Sequence, residues 1–164
     1  AGPAPAPGEE DKDIVNAGGQ PASIKPCGAT FDSAFSFCLI RGGHLDATVL
    51  GAMEVDESGN LANWWIPGKM MAGMGGAMDL AGGAKRVIVA MEHTAKGNPK
   101  ILKKCTLPLT AVNEVDMIST EKAGFKSLPK LTLVETAPGV TGKEIREATE
   151  GAFEVSPALK TMAV

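Results

Sequence analysis

The sequence has no tyrosine, and aromatic residues make up only 4% of it. Its core must therefore be packed with aliphatic side chains and methionine rather than with ring stacks. Basic residues are not in surplus: 16 Lys and Arg against 19 Asp and Glu leave a formal charge of −3. That excludes the dense basic face on which nucleic-acid binding depends, although one anion held at a local basic or glycine-rich spot remains compatible. The cysteines, Cys27, Cys38 and Cys105, are odd in number and form no CxxC pair. They signal neither a disulfide framework nor a zinc site, and a reducing compartment is the simple reading. No apolar run approaches the ~20 residues of a membrane span. There is no signal peptide and no initiator Met, so the opening Ala1-Gly2-Pro3 points to processing or truncation.

Glycine, by contrast, is abundant at 20 of 164 residues, and methionine is plentiful at 8. This length fits one domain of ordinary size. Residues 1–13, with Pro3, Pro5 and Pro7 followed by a charged run, read as a flexible arm, and 14–164 as a single domain. Residues 31–40 predict a helix with Asp32 as N-cap, closed by Arg41-Gly42-Gly43-His44. Residues 45–55 read as one strand, 56–60 as a turn and 61–65 as the returning strand of a hairpin. An irregular glycine-rich loop follows over 66–76, then a short helix over 77–81. Residues 86–91 form a continuous apolar run of the kind buried on both faces of a parallel sheet. Further strands are expected over 115–120 and 131–135. Thr141 and Glu144 announce a helix with a capping box, and the tail from Ala152 reads as short and mixed. Strands alternating with helices around one hairpin point to an α/β fold with an open, mixed, largely parallel sheet flanked by helices.

The strongest chemical feature is Gly73-Met74-Gly75-Gly76-Ala77-Met78-Asp79-Leu80. Glycines at a helix entry let backbone N–H groups approach an anion or a developing oxyanion; the same glycines also serve a merely tight loop. A dinucleotide fingerprint is the rival reading, with Glu92 at the right distance for its acid. Pro67 and Gly68 break the strand that it requires before the first glycine, and its third glycine is misplaced. His44 and His93 suit acid–base work but read first as structural residues. Cys27 and Cys38 read as packing thiols, and most methionines as core filler. Met70, Met71, Met74 and Met78 nevertheless cluster around the glycine loop, where soft side chains suit a ligand wall. At most one of Trp64 and Trp65 faces the core, leaving the other to line a pocket. Asp46, Glu54, Asp79 and Glu92 form no catalytic pair, and Lys100, Lys103 and Lys104 read as a solvated face.

The runs 41–44, 49–53, 59–64, 66–69, 73–80, 91–97 and 103–110, in that order, resemble the B, or carboxy-terminal, half of class I 3-oxoacid coenzyme A transferases. The resemblance covers roughly 16–157. It implies an open α/β domain of the CoA-transferase (NagB/RpiA-like) kind, paired with an A-type subunit or N-terminal half in a larger homo- or hetero-oligomer. The implied activity moves coenzyme A between an acyl-CoA (succinyl, acetyl or butyryl) and a 3-oxoacid such as acetoacetate, through a glutamyl-CoA thioester. Coenzyme A would be a substrate, with no tightly bound cofactor and no metal. The nucleophilic Glu of the family's Ser-Glu-Asn-Gly motif would lie upstream of Ala1, on a companion polypeptide, so no catalytic nucleophile is expected in this chain. Gly76 falls at the oxyanion-donor position, with Ala77 beside it and Met74 and Gly75 shaping the wall. Asn63 and Lys69 are further candidates for ligand contact. Gly2 would end the Gly-x-Gly after the missing Glu, and Gly19 stands where some relatives carry a CoA-holding Lys. The implied location is the bacterial cytoplasm or the mitochondrial matrix. A non-catalytic CoA-binding or structural fragment of this fold is the alternative, and a dinucleotide-binding domain the third reading.

Overall fold

The computed structural model describes residues 2–16, 19–71 and 73–163, and the chain divides into two units, Ala1–Ser36 and Phe37–Val164. In the first unit the start of the Pro-rich stretch lies along residues 21–23. The Ser23 N–H and hydroxyl both donate to the Pro3 carbonyl, at 3.1 and 2.7 Å, and Gly2 donates back to Ser23. Helix α1 (Ser33–Arg41) spans the boundary, with Phe37–Arg41 counted in the second unit; it opens at Asp32, whose carboxylate accepts the Phe35 N–H at 2.8 Å, the N-cap expected from sequence. It closes in a Schellman motif. The His44 N–H reaches the Leu39 carbonyl at 3.2 Å and Gly43 reaches Ile40 at 3.1 Å, with Gly43 at φ 71 in the left-handed conformation that favours glycine.

The second unit is built on a six-stranded sheet. In chain order its strands are β1 (Thr48–Leu50), β4 (Val87–Ala90), β8 (Met117–Ser119), β9 (Ala123–Lys126), β10 (Thr132–Thr136) and β11 (Glu154–Thr161). They lie side by side in that same order. The junctions β1–β4, β4–β8 and β10–β11 are parallel, while β9 runs antiparallel to both neighbours. A second sheet orders β3 (Leu61–Ala62), β2 (Glu54–Asp56) and β7 (Ile101–Leu102). A small hairpin joins β5 (Thr94–Ala95) to β6 (Asn98–Pro99). Helices α2 (Ala77–Gly83) and α3 (Gly142–Glu147) complete the unit.

Four expectations need correction. The strand expected over 45–55 is two strands: Gly51-Ala52-Met53 breaks it, so β1 joins the large sheet and β2 the small one. The expected hairpin survives as β2–β3, pairing Val55 with Leu61. In β4, Val87 and Val89 are buried but Ala90 is exposed, so the apolar run packs firmly on one face only. The tail is not mixed but forms the longest strand, β11. Its ladder is interrupted opposite Leu133 and Glu135, and the interruption spans Pro157, which has no N–H to give. Finally, among the described residues no methionine is in the buried core. Val55, Leu61, Val87, Val89, Ile101, Ile118, Phe125, Leu133 and Ile145 fill the core, because its positions lie mainly on strands, where β-branched and aromatic side chains pack well. Phe125 meets Phe153 edge to face at 5.3 Å.

Candidate functional site

The glycine loop leaves β3 and runs irregularly to α2. Its start is pinned by Lys69, whose N–H donates to the Ile66 carbonyl at 3.0 Å and whose carbonyl accepts the Trp65 indole N–H at 3.2 Å. Gly73 at φ 87 and Gly75 at φ 55 are left-handed, so the turn into the helix depends on residues without a Cβ. Gly76 is the N-cap of α2 at φ −89, and no side chain caps the helix there. Its glycine has a different cause: a Cβ would come within 3.2 Å of the Phe37 ring. Gly76 accepts the Leu80 N–H at 2.9 Å and Met74 accepts the Ala77 N–H at 3.3 Å. The product is a backbone cradle without side-chain occupants, whose N–H donors suit an anion or oxyanion.

Helix α1 supports this cradle. Phe37 packs on Gly76, and the Ile40 carbonyl lies where a Cβ on Gly83 would stand. The Arg41 Nε donates to Asp79 Oδ1 at 2.6 Å, and the guanidinium lies over the Phe37 ring at 5.7 Å. The Asp79 hydrogen bond holds the guanidinium above its ordinary pKa. In the sequence Arg41 reads as the basic end of a helix and Asp79 as one of four carboxylates that form no catalytic pair. Their separation of 38 residues left no local signal for the pair.

Met74, Gly75, Gly76 and Ala77 come together at the helix entry, with exposed Lys69 earlier in the same loop. Asn63 is engaged within the fold. Its amide donates to the Gly51 carbonyl at 3.0 Å and accepts the Thr110 hydroxyl at 2.7 Å, so it ties the β1–β2 break to Thr110. Gly2 and Gly19 belong to the first unit; Gly19 is left-handed at φ 74. Ala1, Ala17 and Gly18, which flank these two in the sequence motifs, lie outside the described residues, as does Ala72 in the glycine loop.

Other candidates fall to structural roles. His93 is fully buried, with its ring between the Thr120 and Thr149 hydroxyls at 2.9 Å each; His44 is exposed beside Gly42. Cys27 and Cys38, expected to pack, are exposed. Cys105 is partly buried, and burial together with the nearby Asp56 and Glu54 charges pushes its thiol far up in pKa, which makes it a poor nucleophile. Glu54 accepts the Thr106 and Leu107 N–H groups at 2.7 and 3.0 Å, and Asp46 pairs with Lys85 at 2.8 Å on the surface. Three of the loop methionines, Met70, Met71 and Met78, are exposed. Among the described residues no group of three or more His, Cys, Asp or Glu is arranged to hold a metal ion, and no helix is long and apolar enough to cross a membrane. The dinucleotide reading loses its context, since β3 ends at Ala62 and residues 63–71 are irregular chain, not a strand.

A family model described as coenzyme A transferase matches residues 1–148. The chain is 58% identical over 160 residues to the acetate CoA-transferase subunit beta of Haemophilus influenzae, covering 96% of this chain and 72% of that subunit. It is 52% identical over 165 residues to the mitochondrial succinyl-CoA:3-ketoacid coenzyme A transferase 2B of Mus musculus, covering 98% of this chain and 32% of that protein. Among solved structures, the acyl-CoA transferase apoenzyme of Escherichia coli O157:H7 superposes with a TM-score of 0.75 at 26% identity, over 92% of this chain and 33% of that one.

Proposed function

We propose a role for this chain on the footing that it belongs to the coenzyme A transferase family: it is the B-type half of a transferase that moves coenzyme A between an acyl-CoA and a 3-oxoacid. The relatives' names supply the substrate classes, acetate in one and succinyl-CoA with a 3-ketoacid in the other, and acetoacetate is the 3-ketoacid proposed here. Coenzyme A enters as a substrate, and an A-type subunit completes the site. A reducing compartment, the bacterial cytoplasm or the mitochondrial matrix, suits the three free cysteines.

In this reading a Glu carboxylate from outside the chain attacks the acyl-CoA carbonyl, and the C–S bond breaks to release CoA thiolate and leave an acyl–glutamyl anhydride. The thiolate attacks the glutamyl carbonyl, the free carboxylate departs, and a glutamyl-CoA thioester remains for the second acid to take up by the reverse steps. Each step passes through a tetrahedral oxyanion, which fixed backbone N–H donors stabilise without reorganising. The observation that carries the reading is the entry into α2 at Gly76, free of any side-chain cap. Asn63 and Lys69 are proposed at the margins of the CoA site, and Gly2 and Gly19, in the first unit, as separate candidates for CoA contact. The test is exchange between succinyl- or acetyl-CoA and acetoacetate by the complete transferase, with acyl-CoAs separated chromatographically. Gly76→Ala, which presses a methyl on Phe37 and displaces the donor, should lower kcat about a hundredfold. A variant as fast as the parent removes the cradle from the mechanism.

A further inference from the structure

We propose that Arg41 is a positioning residue for the glycine loop: its ion pair with Asp79 fixes the first turn of α2 and cancels a carboxylate charge beside the Gly76 backbone. This rests on reading Gly76 as an oxyanion donor. Asp79 lies three positions after Gly76, so its carboxylate sits within one helical turn of that donor. A bare negative charge there opposes the negative charge that develops on the substrate oxygen. Water screens it poorly, because the Asp79 side chain is only 18% exposed. Arg41 answers from the neighbouring helix at 2.6 Å.

The surrounding contacts make this more than a surface pair. Phe37, Ile40 and Arg41 share one face of α1, at the i, i+3 and i+4 spacing. They meet α2 at Gly76, Gly83 and Asp79 in turn. The guanidinium also rests on the same Phe37 ring that abuts Gly76. Cation, ring and donor residue thus form one continuous stack, and the pair holds the loop's position as well as its charge balance. Arg41 closes α1 and Asp79 opens α2, where a cation and an anion are each favourable on helix-dipole grounds. Those grounds alone do not require the two to meet.

The experiment uses the assembled transferase and measures kcat and KM for the acyl-CoA. Arg41→Gln should lower kcat about tenfold with KM little changed, the mark of an interaction felt in the transition state. Adding Asp79→Asn to that variant removes the unbalanced carboxylate and should restore kcat to within about threefold of the parent. Arg41→Lys, which keeps the cation, should stay at least about fivefold faster than Arg41→Gln, with each kcat taken per assembled enzyme isolated by size-exclusion chromatography so that poor assembly does not mimic slow turnover. A parental kcat for Arg41→Gln, or a double variant no faster than the single one, overturns the inference. Gly76→Ala separates the two readings. If it is slow while Arg41→Gln is not, only the Arg41 role fails. If it is itself as fast as the parent, the oxyanion reading falls and the Arg41 role with it.

Discussion

His93 sits with its ring nitrogens 2.9 Å from two threonine hydroxyls, each of which is held in turn by backbone groups. Thr149 Oγ1 donates to the Ile145 carbonyl at 2.7 Å, so it accepts from Nε2–H. Thr120 Oγ1 accepts the Lys122 and Ala123 N–H groups and lies 3.0 Å from the Ala123 carbonyl, to which its hydroxyl donates, so that carbonyl competes with Nδ1 for its single proton. The site holds both ring nitrogens, and it is burial that disfavours the charged ring. Burial pushes the imidazole below its ordinary value of 6.5, with Glu121 opposing and Lys122 assisting. The unfolded chain therefore takes up a proton that the folded one refuses. Stability from this site is complete above the unfolded pKa and falls as pH drops below it toward the folded value. Urea midpoints at about pH 7.5 and 5.5 should diverge less for His93→Gln than for the parent, and the substitution should cost about 2 kcal/mol at the higher pH. Equal divergence would show that His93 does not titrate in this window. The cysteines separate just as sharply: a thiol alkylating agent near neutral pH should label exposed Cys27 and Cys38, and reach Cys105 only on unfolding. Native labelling of Cys105, read by peptide mass mapping, would contradict its burial.

Among the elements, helix ends were legible because their chemistry is local. Asp32 caps α1, Gly43 closes it, and Thr141 and Glu144 form the expected capping box on α3, with the Thr141 N–H donating to Glu144 at 2.7 Å and the Glu144 N–H to Thr141 Oγ1 at 3.3 Å. The Thr141 N–H first, and then the Thr141 hydroxyl, which also donates to the Glu144 carboxylate at 2.8 Å, hold the Glu144 carboxyl below its usual range. Thr141→Ala should lower stability by about 1 kcal/mol in chemical denaturation, and a change within a few tenths would mean that α3 is held by Ile145 packing alone. The strands were less legible because their partners are distant. β9 and β11 exist through pairing with β10 on either edge, and neither has enough alternation to declare itself. The split between β1 and β2 had a visible sign in Gly51, but which sheet each half joins depends on β4 and β7, far along the chain. The β5–β6 hairpin had a fainter sign, since Lys96 and Gly97, at φ 53 and 84, make the turn type that suits so tight a loop. At the candidate site the division is the same. The residues of the cradle are contiguous and could be read from the text, whereas Phe37, Ile40 and Arg41 beneath it are brought there only by helix packing.

For the molecule as a whole, one buried carboxylate joins parts that sequence keeps apart. Asp56 closes β2 at 1% exposure. It accepts the Ser58 and Asn60 N–H groups and the Asn60 amide, at 3.0, 3.2 and 2.9 Å, and so shapes the hairpin turn. It also accepts the Cys105 N–H at 3.0 Å, and Asn60 in turn accepts the Asn113 N–H at 3.0 Å. The segment after β7 is thereby anchored to the small sheet, close to the Thr110 that Asn63 engages at the root of the glycine loop. Burial alone would raise the Asp56 pKa, but the hydrogen bonds, led by Cys105, outweigh it and leave the carboxyl below its ordinary 3.8. Its contribution is accordingly present above the unfolded value and lost as acid protonates the folded carboxylate. Asp56→Ala strands several backbone donors at once, each worth about 1–3 kcal/mol when buried and unpaired, so the loss should exceed that of Thr141→Ala at least threefold. Asp56→Asn keeps one acceptor oxygen and should fall between the two. Denaturation midpoints of the three variants at neutral pH test this order. If Asp56→Ala proved no worse than Thr141→Ala, the segment from Lys103 to Val115 would have to be held by its apolar contacts, and the loop root would not depend on Asp56.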